Sequence, residues 1–156
     1  MNHVTQGYNE CVLATIAALS DTPIDVIRRI AQEFTGADWA DFLFYKSGCS
    51  ELDKAIEHIC SHVGLPPVIS HLSSKITTGS GAPDLSGKGQ LIFGFNHNGI
   101  QIGLHSVAYE NGLIYDGTLI CPVTWESVIK HYTEVKGYEV FVAGVYPIEK
   151  TTKPIE

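Results

Sequence analysis

The chain has no cluster of lysine or arginine, no Cys-x-x-Cys pair, no internal repeat and no block of like charge. It also lacks any unbroken apolar run near the ~18 residues that a membrane span requires. With 17 acidic residues against 10 basic ones, the net charge is −7. That balance and the missing basic patch argue against nucleic acid or an anionic membrane as partner. The opening "MNHVTQGYNE" has neither the basic start nor the apolar core of a signal peptide, which points to the cytoplasm. There, disulfides rarely persist. Cys11, Cys49, Cys60 and Cys121 stand far apart, so a zinc ribbon or a dithiol redox motif is unsupported.

Other sites fall to the same scrutiny. His58 and His62 have the i, i+4 spacing of two metal ligands, but the Glu of a His-Glu-x-x-His helix is missing. Solvated helix positions explain both. In "GSGAPDLSGKG" Lys88 is followed by Gly89, where a phosphate loop needs Ser or Thr. His97 in "FNHNG" reads as a turn residue. No metal and no organic cofactor is implied.

What is present is a core former. Apolar residues make up 44% of the 156 positions, enough for one domain over residues 1–156. "CVLATIAALS" is apolar on more than one face, with Asn9 as a candidate cap, and belongs in the middle of a domain. "SDTPIDVIRRI" opens a second helix, with Asp21 or Thr22 as cap and Pro23 in its first turn. "CSELDKAIEHICSHVG" reads as a third, with Ser50 and Asp53 resembling a capping box. Next comes "HLSSKITTGSGAPDLSGKGQ", a Ser/Gly-rich stretch expected to be a surface loop. Then the period changes: "GQLIFGF", "GIQIGLHSVAY", "GLIYDG" and "GYEVFVAGVYP" are short strands, interrupted by one helix at "TWESVIKHY". Helices first and an antiparallel sheet afterwards make an α+β fold.

Cys11 heads the apolar helix, and Gln6 precedes it by five residues. A cysteine there is either a small hydrophobe or a nucleophile, and a nucleophile needs a base. "HSVAYENGLIYDG" supplies one, because Asn111-Gly112 suits a two-residue type I′ hairpin. That register sets Glu110 against Leu113, Ala108 against Tyr115, Val107 against Asp116 and His105 against Thr118. His105 and Asp116 then lie on one face as diagonal neighbours. A three-residue loop would put Asp116 on the other face. The positive end of a helix and a nearby imidazolium lower a thiol's pKa. A carboxylate on the second ring nitrogen fixes the histidine, and a glutamine amide can donate to a tetrahedral oxyanion. Cys49, Cys60 and Cys121 have no such partner in the sequence and read as structural.

Gln-x4-Cys at the start of an apolar helix, followed by His and Asp on successive strands, resembles the papain-like cysteine peptidases. "GLHSVAYENGLIYDG" is similar to the His-to-Asp hairpin of the bacterial bacteriocin-leader peptidases. The resemblance implies a papain-like fold, with a helical part packed on a C-terminal antiparallel sheet. It implies Cys11 as nucleophile, His105 as base, Asp116 as orienting residue and Gln6 as oxyanion donor, acting on a peptide or protein. Papain's small-residue and tryptophan signature around the cysteine is absent, and Glu10 and Val12 replace the leader peptidases' usual Asp and Gly. Two other readings fit the same residues: a transglutaminase-like acyltransferase, and a non-catalytic binding or inhibitor module.

Overall fold

Every residue of helix α1 (Cys11–Ser20) except the last is buried, as a helix apolar on several faces requires. The structure is a computed structural model and describes residues 1–7, 9–46, 49–70 and 81–148, without the side chains of 45, 46 and 49. α1 lies between two layers. On one side are α2 (Ile24–Thr35) and α4 (Cys49–His62), which contribute Ile27, Ala31, Leu52, Ala55, Ile56 and Ile59 to a shared core. A short α3 (Trp39–Asp41) and a π-helical turn (Phe42–Lys46) connect them and pack Trp39 and Phe42 there. On the other side is a sheet, which α1 meets along its second strand.

That sheet has four antiparallel strands: β1 (Lys88–His97), β2 (Ile100–Glu110), β3 (Leu113–Tyr115) and β4 (Glu139–Pro147). Their order is β3-β2-β1-β4. Its far face carries a second core, in which Leu91, Phe93, Val107, Tyr109 and Ile114 meet Trp125 and Val128 of α5 (Trp125–Lys130) and Tyr132 of a following π-helical turn (His131–Val135). Thr124 caps α5, its hydroxyl accepting from the Ser127 N–H at 3.3 Å. The architecture is α+β, and none of the described helices is long and apolar enough to cross a membrane.

Several local expectations are corrected. Asn9 does not cap α1; Glu10 holds that position, and Asn9 has a left-handed backbone at φ 56°. Glu10 makes no capping bond to the helix because its carboxylate is taken. It accepts from the Gly7 N–H at 2.7 Å and from Nε and Nη2 of Arg28 at 2.7 and 2.8 Å. Asp21 ends α1 instead of starting α2, and Pro23 sits one place before the first turn of α2. α4 begins at Cys49, so Ser50 stands inside its first turn and cannot cap it. His97 ends β1, and the tight turn is Asn98-Gly99, both with positive φ. Residues 71–80 of the Ser/Gly-rich stretch lie outside those described, while Lys88, Gly89 and Gln90 belong to β1.

Candidate active site

The hairpin that sets the site follows the expected register: Glu110 pairs with Leu113, Tyr109 with Ile114 and Ala108 with Tyr115. Asn111 and Gly112 have φ of 50° and 85°, the two left-handed residues that a type I′ turn demands. The ladder then stops at Tyr115, so Asp116 and Thr118 are not paired strand residues as the register alone suggests. Asp116 nonetheless turns back to His105. The ring Nε2 and Asp116 Oδ1 are 2.7 Å apart, with His105 7% exposed and Asp116 fully buried.

The early end of β3 has a second effect. In this register the N–H groups of Glu110, Ala108 and Ser106 all point toward the β3 side of β2. Beyond Ala108 no strand is left to accept, and the Ser106 N–H acts instead on the Cys11 thiol, lowering its pKa. The His105 side chain and the Val12 N–H at the helix start act in the same direction. With Nε2 committed to Asp116, Nδ1 is the ring nitrogen left for the sulfur. Cys11 is 8% exposed, and burial by itself pushes the thiol's pKa up. The hydrogen bond and charge of His105, with the two backbone donors, outweigh that and hold it below its ordinary value.

His105 moves the opposite way. Burial disfavours its charge, but the Asp116 carboxylate and the Cys11 sulfur raise its pKa to about 10. Asp116 is held well below the carboxylate range, since His105 and hydrogen bonds from Thr118 and Tyr132 overcome its burial. Together these shifts describe a thiolate–imidazolium pair backed by a buried carboxylate.

Asp116 has more partners than the sequence shows. Oδ1 accepts from the Thr118 N–H at 2.9 Å and hydroxyl at 2.8 Å, and Oδ2 accepts from the Tyr132 hydroxyl at 2.7 Å. Phe93 meets the His105 ring edge-on at 5.4 Å and Tyr132 at 5.7 Å, walling the pair from water. Tyr132 was not among the candidates from sequence. It lies 16 residues beyond Asp116, on a π-turn, and its reach depends on how α5 docks.

Gln6 meets Gly117, the residue after Asp116. Its N–H donates to the Gly117 carbonyl at 3.0 Å, and its side chain lies over the Gly117 Cα, where a Cβ would come within 2.7 Å of Oε1. That amide makes no hydrogen bond among the described residues, and Oε1 is buried without a partner. The Gly7–Glu10–Arg28 lock holds the loop between Gln6 and Cys11. Behind α1, the Thr15 hydroxyl donates to the Cys11 carbonyl at 2.8 Å and meets the Ser106 hydroxyl at 2.8 Å; Gln90 Nε2 donates to the latter at 2.9 Å. The helix is thus pinned to the strand that carries His105.

Of the remaining candidates, Cys60 is buried, with its pKa raised by burial, and Cys121 is exposed. His58 stacks between Phe34 and His62, and the described residues contain no metal-competent cluster. Comparison with protein-family profiles, with curated proteins and with solved structures finds no match for this chain.

Proposed function

We propose that the chain is a papain-like cysteine hydrolase that cleaves an amide in a peptide or protein through a thioester at Cys11. One observation carries the reading. A buried, fully hydrogen-bonded carboxylate holds Nε2 of His105, while His105 bonds a helix-start cysteine whose thiol is acidified despite burial. A structural cysteine in an apolar core has its pKa raised, as Cys60 does.

The steps follow from the groups present. The Cys11 thiolate attacks the carbonyl carbon, and the amide of Gln6 donates to the oxygen that becomes negative. The His105 imidazolium gives its proton to the leaving nitrogen, and the C–N bond breaks to leave a thioester. Neutral His105 then takes a proton from water as the water attacks the thioester, and the C–S bond breaks to release the acid and restore the Cys11 thiolate beside the imidazolium. Asp116 transfers no proton; it keeps the ring oriented and its cation stable. A thiol nucleophile works where it stays reduced, and we assign the enzyme to the cytoplasm on that ground.

The test is turnover of an activated peptide ester, with the acyl adduct located by mass spectrometry. The proposal expects many turnovers, an adduct on Cys11, and none of either in Cys11→Ala. A reaction that halts after one acylation favours a binding module. Added amine that captures the acyl group faster than water does makes the protein an acyltransferase.

A further inference from the structure

A cavity of about 330 Å³ opens beside His105, walled by Phe95 and Tyr132, with Val135, 68% exposed, at its mouth. That volume is at the small end for ligand pockets and suits one residue better than an extended chain. Thr118, His131 and Lys136 complete its lining. Among the described residues that lining holds three nitrogen bases, one hydroxyl from Thr118 and one from Tyr132, and no carboxylate, on a chain with 17 acidic and 10 basic residues. Glu134 belongs to the same turn but does not line the cavity, and Asp116 is buried behind His105 with both oxygens engaged.

The cavity's position fixes which part of a substrate can occupy it. His105 lines it and Cys11 does not. In the mechanism above, the group that His105 must reach is the leaving nitrogen, whereas the acyl carbon goes to the sulfur. Space shared with the histidine belongs to the leaving-group side.

We infer that this cavity is a subsite for the leaving-group residue, and that it selects an aromatic or apolar residue bearing a carboxylate. The apolar frame rests on Phe95, Tyr132 and Val135, and the carboxylate faces Lys136 and His131 at the mouth. The inference rests on the hydrolase reading, since it uses the roles of Cys11 and His105.

Two probes with the same frame and different charge test it: chloroacetyl-phenylalanine and chloroacetyl-phenylalaninamide. Both alkylate a thiol, and both place the phenylalanine where a leaving group would lie. Rates at Cys11 are read by peptide-resolved mass spectrometry, each divided by the iodoacetamide rate of the same protein. In the wild type the carboxylate probe should react about fivefold faster than the amide, the effect of one solvent-exposed charge pair. The ratio should fall toward one in Lys136→Gln and below one in Lys136→Glu. Lys136 is exposed, so neither change threatens the fold. A wild-type ratio near one, or a ratio unchanged in Lys136→Glu, overturns the subsite and leaves the hydrolase standing. If iodoacetamide alkylates Cys11 more slowly than exposed Cys121, the nucleophile itself is refuted, and the subsite with it.

Discussion

At the scale of single residues, the site separates chemistry from support, and each substitution should show which it removes. On the proposed mechanism His105→Ala takes away the proton carrier and should lower turnover by ~10²–10⁴-fold while the fold persists. It should also remove the reactivity of Cys11 toward iodoacetamide near pH 6, because the imidazolium that acidifies the thiol is gone. A folded His105→Ala protein with near wild-type turnover ends the triad. Tyr132→Phe makes a different demand. Deleting one hydroxyl leaves Asp116 Oδ2 buried with no other donor among the described residues, which typically costs ~1–3 kcal/mol. Urea denaturation measures this directly, and a loss below a few tenths of a kcal/mol would mean that the bond carries nothing.

Among the elements, the β2–β3 hairpin does the most to build the site, and it is also the part most legible in the sequence. Asn111-Gly112 between alternating strands fixed the pairing, and the pairing put His105 and Asp116 within reach of each other. Helix α1 was equally readable, because its apolar residues leave no polar face. The short length of β3 was not readable: residues 116–118 continue a plausible register, and only the packed chain shows them turning away. Tyr132 escaped for a related reason, since nothing local marks a π-turn or says where it docks. The true start of α1 was hidden because Glu10 finds its partner on another helix, at Arg28. Gly117 lets the hairpin's exit touch the Gln6 loop, which gives an element-level test. Gly117→Ala should displace the Gln6 side chain and lower turnover as Gln6→Ala does, where losing one oxyanion donor costs ~3–4 kcal/mol. Alkylation of Cys11, which develops no oxyanion, should stay near the wild-type rate in both variants. Equal losses of alkylation and turnover would give Gln6 a structural role.

For the whole molecule, the thiolate–imidazolium pair links stability to pH in a way that neither group shows alone. His105 is raised from 6.5 to about 10, so its contribution is complete below pH 6.5 and is lost as pH rises through about 10. Cys11 is lowered from its ordinary 9.0, so its contribution is present above pH 9 and is lost as pH falls through the lowered value. Over the part of pH 6.5 to 9 that lies above the lowered Cys11 value, the folded pair holds one proton, on His105. The unfolded chain also holds one, on the Cys11 thiol. The difference in bound protons is then zero, and the pair adds no slope across that interval. Above pH 9 the unfolded chain binds one proton fewer, and stability declines as pH rises. Cys11→Ser removes one half of this balance. His105, still raised chiefly by Asp116, is protonated in the folded variant and neutral in the unfolded chain above pH 6.5. Relative to the wild type, the stability of Cys11→Ser should therefore fall as pH rises across that interval, by up to ~1.4 kcal/mol per pH unit. Urea denaturation of both proteins at matched pH reads the difference, and all other groups cancel in the comparison. Parallel curves all the way from pH 6.5 to 9 would mean that the folded protein keeps Cys11 as a neutral thiol, not poised as a nucleophile.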